Sequence, residues 1–331
     1  MRSFFITFFL GLLLIVGGAV GGAAWWLNHA LAFKGDQIDL SIEPGTRPRE
    51  VAEAVRDAGV DVSADALFLW FRLSGQARLI KAGSYELKKG ITPRELLNKL
   101  ARGDAAIRAV SLIEGWNFRQ VRAALAKEAD LKQDTAELTD DALMALIGQP
   151  GVHPEGRFFP DTYTYDKGAS DVTVLKRALK AMDARLAAAW AKRAPNTVVK
   201  TPEEALILAS IIEKETGRAS DRPLISAVFN NRLKIGMPLQ TDPTVIYGIG
   251  PSFDGNLRRV DLRTDTPWNT YTRTGLPPTP IAMPGRAALL AAVQPANDAS
   301  LYFVARGDGS SHFSRTLEDH NRAVDKYQRG K

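Results

Sequence analysis

The sequence predicts an α+β chain in three parts: a cytoplasmic tip and single transmembrane helix over residues 1–30, a small α/β module with connecting helices over 31–150, and a larger mixed α+β domain over 151–331. Three observations carry this. Residues 4–27 form one apolar run. Three similar segments of strand, glycine turn and short helix follow it. Beyond them come long helical periodicities, then loops, then a hairpin. With 331 residues, 45% hydrophobic and 24% charged, the chain can support two globular cores.

The apolar run has 24 residues, and Thr7 is its only polar side chain; about 20 suffice to cross a bilayer. Trp25 and Trp26 stand at its far end, where interfacial aromatics belong. Arg2 and the free amino terminus precede it, so the positive-inside rule puts the N-terminus in the cytoplasm and the rest outside. A cleaved signal has a shorter apolar region, about 7–15 residues, although Gly21, Gly22 and Ala23 leave cleavage open as an alternative. Gly17-x-x-x-Gly21 and Gly18-x-x-x-Gly22 match a helix-pairing pattern that a glycine-rich span also produces by chance.

In the module, Pro44-Gly-Thr-Arg-Pro-Arg-Glu-Val-Ala-Glu-Ala-Val55, Lys89-Gly-Ile-Thr-Pro-Arg-Glu-Leu-Leu-Asn-Lys-Leu100 and Glu114-Gly-Trp-Asn-Phe-Arg-Gln-Val-Arg-Ala-Ala-Leu125 resemble one another. Each opens with a glycine turn and a helix start, then shows apolar residues at helical spacing. Strand-like runs at 38–42, 83–87 and 109–113 precede them. Such units serve as glycan contacts or as plain scaffold. Residues 140–151 read as a helix and its exit. The aromatic-rich stretch 155–165 reads either as a saccharide-lining groove or as a core-edge strand.

Helical periodicity covers 172–194. The next helix is the most informative element: Thr201-Pro-Glu-Glu-Ala-Leu-Ile-Leu-Ala-Ser-Ile-Ile-Glu-Lys-Glu-Thr216. Thr201 and Glu204 fit a capping box and Pro202 the first helical position. The helix is apolar on nearly every side, so it is expected to be buried. Glu215 continues the stripe of Leu208 and Ile212, and Glu213 projects roughly 160° away. Ser210 and Lys214 mark the polar side. A carboxylate at the end of a buried helix is dehydrated enough to keep a proton near neutral pH, which a general acid requires. The competing reading is a solvated last turn. A second helix at 223–234 follows, then loops through 238–247, 266–271 and 275–278, and a hairpin around Asp308-Gly309.

The net charge of +6 suits acidic partners. The cations are dispersed and no nucleic-acid module is legible, so nucleic acid is not expected. The absence of cysteine excludes disulfides, thiol catalysis and thiolate metal sites. Four histidines, His29, His153, His312 and His320, show no metal spacing, and no nucleophile elbow or phosphate loop is present. No metal or cofactor is expected. What remains is carboxylate chemistry, with Glu215 and also Asp242, Asp254, Asp261 and Asp265 available.

The string Leu208-Ala-Ser-Ile-Ile-Glu-Lys-Glu-Thr216 resembles the signature of the endolytic murein transglycosylases, the MltG or YceG-like family. Val228-Phe-Asn-Asn-Arg-Leu233, Met237-Pro-Leu-Gln-Thr-Asp-Pro-Thr-Val-Ile-Tyr-Gly248, Trp268-Asn-Thr-Tyr271, Gly275-Leu-Pro-Pro278, Glu155-Gly-Arg-Phe-Phe-Pro-Asp161 and Ile281-Ala-Met-Pro-Gly285 look like the same family, in the same order. Trp268 stands where the family usually carries Tyr; its ring nitrogen only donates. The resemblance implies a LysM-like module, a larger catalytic domain, and a single-pass anchor in the bacterial inner membrane with the catalytic domain outside the cytoplasm. It implies cleavage of the β-1,4 bond from N-acetylmuramic acid to N-acetylglucosamine within peptidoglycan strands, leaving 1,6-anhydro ends and ending strand elongation. Glu215 would be the catalytic residue, Gln240, Asp242, Asn269 and Tyr271 would fix the glycan, and Glu213 would orient substrate or structure. Cell-wall synthases (penicillin-binding proteins) are the implied partners. A muramidase-type hydrolase and a non-catalytic glycan-binding scaffold are the alternatives.

Overall fold

The structure, a computed structural model, describes residues 2–330, with side chains described from Phe9 onward. The amino terminus and the Arg2 side chain, on which the predicted orientation draws, lie outside the described residues. The first helix, α1 (Arg2–Leu27), has a mean hydropathy of 1.9 over Phe9–Leu27 with none of that segment buried. It is long and apolar enough to cross a bilayer. Trp25 is exposed and stacks on His29, ring centroids 4.3 Å apart.

The chain divides into two compact units. The first runs to Arg108 and takes back Thr164–Ala169. It contains β1 (Gln37–Ile42), α2 (Pro48–Asp57), α3 (Ala64–Leu73), β2 (Gly83–Lys88) and α4 (Pro93–Arg102). β1 and β2 pair antiparallel with Leu40 opposite Tyr85. Strand alternation turns Leu40, Ile42, Tyr85 and Leu87 inward, against Val51 and Val55 of α2, Phe71 of α3 and Leu96 and Leu100 of α4. The start of α4 shows why it begins where it does. Thr92 Oγ1 accepts from Glu95 N–H at 3.2 Å, Glu95 Oε2 accepts from Thr92 N–H at 3.0 Å, and Pro93 occupies the first turn. Both predicted strand–turn–helix segments of this unit are present.

The third such segment departs from expectation. β3 (Ile107–Ser111) begins two residues earlier than predicted and pairs with β4 (Thr162–Asp166) rather than with β1 or β2. Its helix, α5 (Phe118–Ala126), belongs to the second unit, Ala109–Tyr163 with Ser170–Lys331. Residue 150, where the sequence placed a boundary, lies inside that unit. α6 (Asp140–Leu146) matches the helix expected near 140. The aromatics of 155–165 are not a groove surface: Phe158, Phe159, Tyr163 and Tyr165 are all buried.

α7 (Asp171–Trp190), α8 (Pro202–Glu215) and α9 (Arg222–Lys234) follow the predicted periodicities. α8 is the central strut. Every residue from Ala205 to Ile212 is buried, packed by α7, α9 and a later helix, α12 (Arg286–Val293), through Met182, Leu186, Ile225, Phe229, Leu289 and Ala292. This burial includes Ser210, which the helical wheel had put on a polar side. Its hydroxyl donates to Ile207 C=O at 2.7 Å and accepts from Ile281 N–H at 3.0 Å. The capping box at Thr201 forms only in half. Thr201 Oγ1 accepts from Glu204 N–H at 3.1 Å, but the Glu204 carboxylate turns to Lys200 N–H.

The segment expected to be loop at 238–247 contains α10 (Asp242–Ile249), with Pro243 in its first turn. A helix starting on Thr-Asp-Pro reads as a turn when its two flanks are themselves irregular. α11 (Arg259–Arg263) is a single turn. The predicted hairpin is β5 (Tyr302–Ala305) and β6 (Ser311–Ser314), antiparallel, and α13 (Leu317–Gln328) closes the chain.

Candidate functional site

The last turn of α8 sends three consecutive side chains to three different segments, as a rotation of about 100° per residue requires. Glu213 Oε2 accepts from Gly285 N–H at 2.9 Å, where α12 begins. Lys214 Nζ donates to Gly115 C=O at 3.2 Å. The Glu215 carboxylate accepts from the Thr241 hydroxyl. Glu213 therefore holds two segments of the unit together. Burial raises its pKa and the charge of Glu114 adds to that, against the Gly285 N–H. A methyl at Gly285 would meet the end of the exposed Glu114 side chain, which would have to swing aside.

Glu215 is half-buried and opens on a cleft of about 370 Å³ whose walls include Arg232, Gln240, Asp242, Tyr271, Tyr302 and His320. Burial lifts its pKa above the ordinary carboxylate value. The Asp242 charge pushes the same way, and the Thr241 hydroxyl and Arg232 oppose without cancelling the rise. A carboxyl poised in this way can both give and receive a proton.

Thr241 is the N-cap of α10, yet its hydroxyl makes no cap bond and is directed at Glu215. An N-cap hydroxyl typically stabilises a helix by about 0.5–2 kcal/mol, which α10 forgoes here. A buried threonine cluster holds the geometry. Thr241 N–H donates to Thr270 Oγ1 at 3.1 Å, the Thr244 hydroxyl donates to Thr241 C=O at 2.7 Å, and the Thr244 and Thr270 hydroxyls lie 2.8 Å apart. Gln240, at φ +50°, is the only non-glycine residue with positive φ among the described residues. Its N–H donates to Thr270 C=O at 3.1 Å, which holds a backbone conformation costing about 1–3 kcal/mol.

The sequence-selected residues separate into two groups. Gln240, Asp242 and Tyr271 line the cleft with Glu215, and Tyr271 O–H donates to Asp242 Oδ1 at 2.6 Å. Burial, then that bond, raises the Tyr271 pKa and keeps it a neutral donor. Asn269 is different: it is 0% exposed, and its Nδ2 donates to the carbonyls of Asp261, Leu262 and Thr264 at 3.2, 3.1 and 2.7 Å. Its Oδ1 accepts from Tyr271 N–H at 2.9 Å. Asn269 ties the loop on which Tyr271 stands and has no group turned to the cleft. Trp268 is partly buried, donating to Thr279 Oγ1 at 3.0 Å and meeting Tyr247 edge-on.

Thr241, Thr270, Arg232 and His320 were not selected from the sequence. Arg232 is buried on α9, donating to Leu301 C=O at 2.7 Å and Leu239 C=O at 2.8 Å beneath the Tyr302 ring. Its place one helical turn after Val228 and Phe229, on the apolar face, was the available signal. His320 stacks on Tyr302, and burial together with the Arg232 and His312 charges keeps its pKa low. A second buried acid stands apart from the cleft. Glu155 is 3% exposed and both its oxygens lie 3.1 Å from Phe118 N–H at the start of α5. Burial carries its pKa to about 7 against bonds from Phe118 N–H and the Tyr247 hydroxyl.

The profile of the YceG-like family matches residues 40–326. A Bacillus subtilis (strain 168) protein named endolytic murein transglycosylase is 33% identical over 95% of this chain and 91% of its own length. A Streptococcus pneumoniae protein of the same name is 26% identical over 98% of this chain and 65% of its own length. The crystal structure of a YceG-like protein from Listeria monocytogenes superposes with a TM-score of 0.56 at 29% identity, covering 87% of this chain and 98% of that one.

Proposed function

This chain belongs to the YceG-like family, and on that premise we propose that it is an endolytic murein transglycosylase in which Glu215 serves as acid and then base. The observation that carries the assignment is a dehydrated carboxyl with one hydroxyl donor, Thr241, facing an open cleft.

The bond cut is the β-1,4 link from N-acetylmuramic acid to N-acetylglucosamine inside a peptidoglycan strand. Protonated Glu215 gives its proton to the leaving glycosidic oxygen as that bond breaks. The C6 hydroxyl of the same muramic acid then attacks C1, and the Glu215 carboxylate takes the hydroxyl proton. The product carries a 1,6-anhydro end and no water is consumed. One residue suffices because the nucleophile is part of the substrate, already within reach. A hydrolase instead requires a second carboxylate to activate water or trap the sugar. Asp242 is the acid beside Glu215, and its carboxylate already accepts from Tyr271. Arg232 favours the ionised form of Glu215 once the proton has left. Gln240, Asp242 and Tyr271 would contact the glycan, while Asn269 and Glu213 would position the walls.

We read α1 as a single-pass anchor in the bacterial inner membrane, with the remainder outside the cytoplasm; its apolar, unburied surface supports this. The two strand–turn–helix segments of the first unit support a LysM-like module, and synthases that extend glycan strands are the expected neighbours. The test is digestion of purified peptidoglycan by the full chain, with mass spectrometry of the products. Wild type should give anhydro ends, Glu215→Gln none, and Glu213→Gln a measurable share. Equal products from wild type and Glu215→Gln would remove the assignment, and reducing ends would replace it with a hydrolase.

A further inference from the structure

A second groove, of about 510 Å³, lies on the other side of the first turn of α10. Pro243 belongs to the walls of both clefts. Lys214 lines the second groove and Glu215 the first, so two neighbouring residues of α8 serve two adjacent clefts. The rest of the groove includes Asn117, Arg119, Tyr247 and Phe253, and no acidic side chain lines it. Arg119 is exposed and has no hydrogen bond or ion pair among the described residues. Lys214 bonds only a carbonyl, that of Gly115. The acid that interacts with Arg119 is Glu155, which is buried and lines no part of the groove.

Two cations with no ion pair among the described residues, beside aromatic and amide groups, form a site for an anion carried on a larger, partly apolar ligand. An enzyme that cuts within a strand must hold the polymer on both sides of the bond. The sugars of peptidoglycan are neutral, and its negative charge resides on carboxylates of the muramic acid side group. We propose that the groove between α5 and α10 is a second substrate subsite that binds this side-group carboxylate through Arg119 and Lys214, while the scissile bond lies at Glu215. The carboxylate comes from the stem peptide or, where the stem has been removed, from the bare lactyl group. The proposal rests on the transglycosylase reading for its polymer and on the groove alone for its charge selectivity.

The experiment uses the full chain and two soluble substrates: uncrosslinked strands with intact stems, and the same strands stripped by an amidase. Kd is measured by fluorescence anisotropy in a Glu215→Gln background, where no cleavage intervenes, and KM and kcat are measured with Glu215 present. Arg119→Gln and Lys214→Gln should each weaken Kd about tenfold, the size expected for one charge-assisted hydrogen bond. KM should rise by more than kcat falls. Arg119→Lys should recover most of the affinity, and added salt should weaken the parent more than the Gln variants. A loss larger on stem-bearing strands assigns the stem carboxylate, a loss larger on stripped strands assigns the bare lactyl carboxylate, and an equal loss on both shows that the groove takes either carboxylate. Unaltered Kd on both substrates overturns the subsite even if cleavage proceeds. Conversely, charge-dependent Kd without anhydro products from the parent would overturn the transglycosylase reading and leave the carboxylate groove.

Discussion

Two carboxyls of the second unit, Glu155 and Glu215, are both held above the ordinary carboxylate range by burial, yet their surroundings differ. Glu155 is closed in, with Phe118 N–H and the Tyr247 hydroxyl on its oxygens, and it lines neither cleft. Glu215 keeps a single hydroxyl donor and an open side. Dehydration alone therefore does not mark a catalytic acid; a dehydrated acid must also be reachable. The largest expected effect follows from this difference. Glu215→Gln should lower anhydro-end formation by about 10²–10⁴-fold, the range for loss of a general acid–base. Glu155→Gln should stay within about threefold of wild type when assayed where circular dichroism shows it folded. An equally inactive, folded Glu155→Gln protein would break the distinction.

The closed acid should instead reveal itself in stability. A pKa of about 7 in the folded state against 4.5 when free means the folded state binds the proton more tightly. The stabilisation is complete below pH 4.5 and is lost as pH rises through 7, amounting to ~3 kcal/mol for this group. Denaturant titrations of wild type and Glu155→Gln across pH 4.5–8 should diverge by that amount, with Gln relatively favoured at the alkaline end. Parallel curves would mean that Glu155 is ionised and better solvated than its 3% exposure implies.

The next effect belongs to Thr241, whose hydroxyl favours ionised Glu215. Thr241→Val removes that bond, worth about 1.5–3 kcal/mol to a charged acceptor, so the Glu215 pKa should climb further. The rate that depends on protonated Glu215 falls as pH rises through this pKa, so the falling limb should move to higher pH. In the proposed mechanism the carboxylate also serves as base, so kcat should drop about tenfold at neutral pH, and Thr241→Ser should restore both. A pH profile unmoved by Thr241→Val would show that the hydroxyl does not control this proton.

The same contrast explains what was legible in the sequence. α8 could be read because its apolar residues surround the whole helix and its cap chemistry is local, and Glu215 could be selected because it ends that helix. The strand–turn–helix segments of the first unit were legible for the same reason: Thr92, Pro93 and Glu95 act within four residues. The walls of the cleft were not. Thr241 and Thr270 stand 29 positions apart and matter only because α10 and the 266–271 loop meet. The family resemblance put Asn269 among the glycan contacts, but its three carbonyl partners lie five to eight residues upstream and only folding brings them round it. Ser210 was misplaced because a wheel marks it polar, whereas the fold provides Ile281 N–H as a buried partner.

The smallest effect, and the sharpest control, is Tyr271→Phe. The Tyr271 hydroxyl bonds Asp242 and makes no bond to Glu215, so its loss removes one cleft donor and leaves Thr241 in place. The cost should be about 1 kcal/mol, or roughly fivefold in kcat/KM, taken mainly in KM. Unlike Thr241→Val, it should leave the pH limb where it was, because a neutral hydroxyl two groups away adds little field at Glu215. If the limb moved as far as in Thr241→Val, the Asp242–Tyr271 pair would share control of the proton. The cleft would then act as two coupled carboxylates, an arrangement better suited to activating water than to closing an anhydro ring.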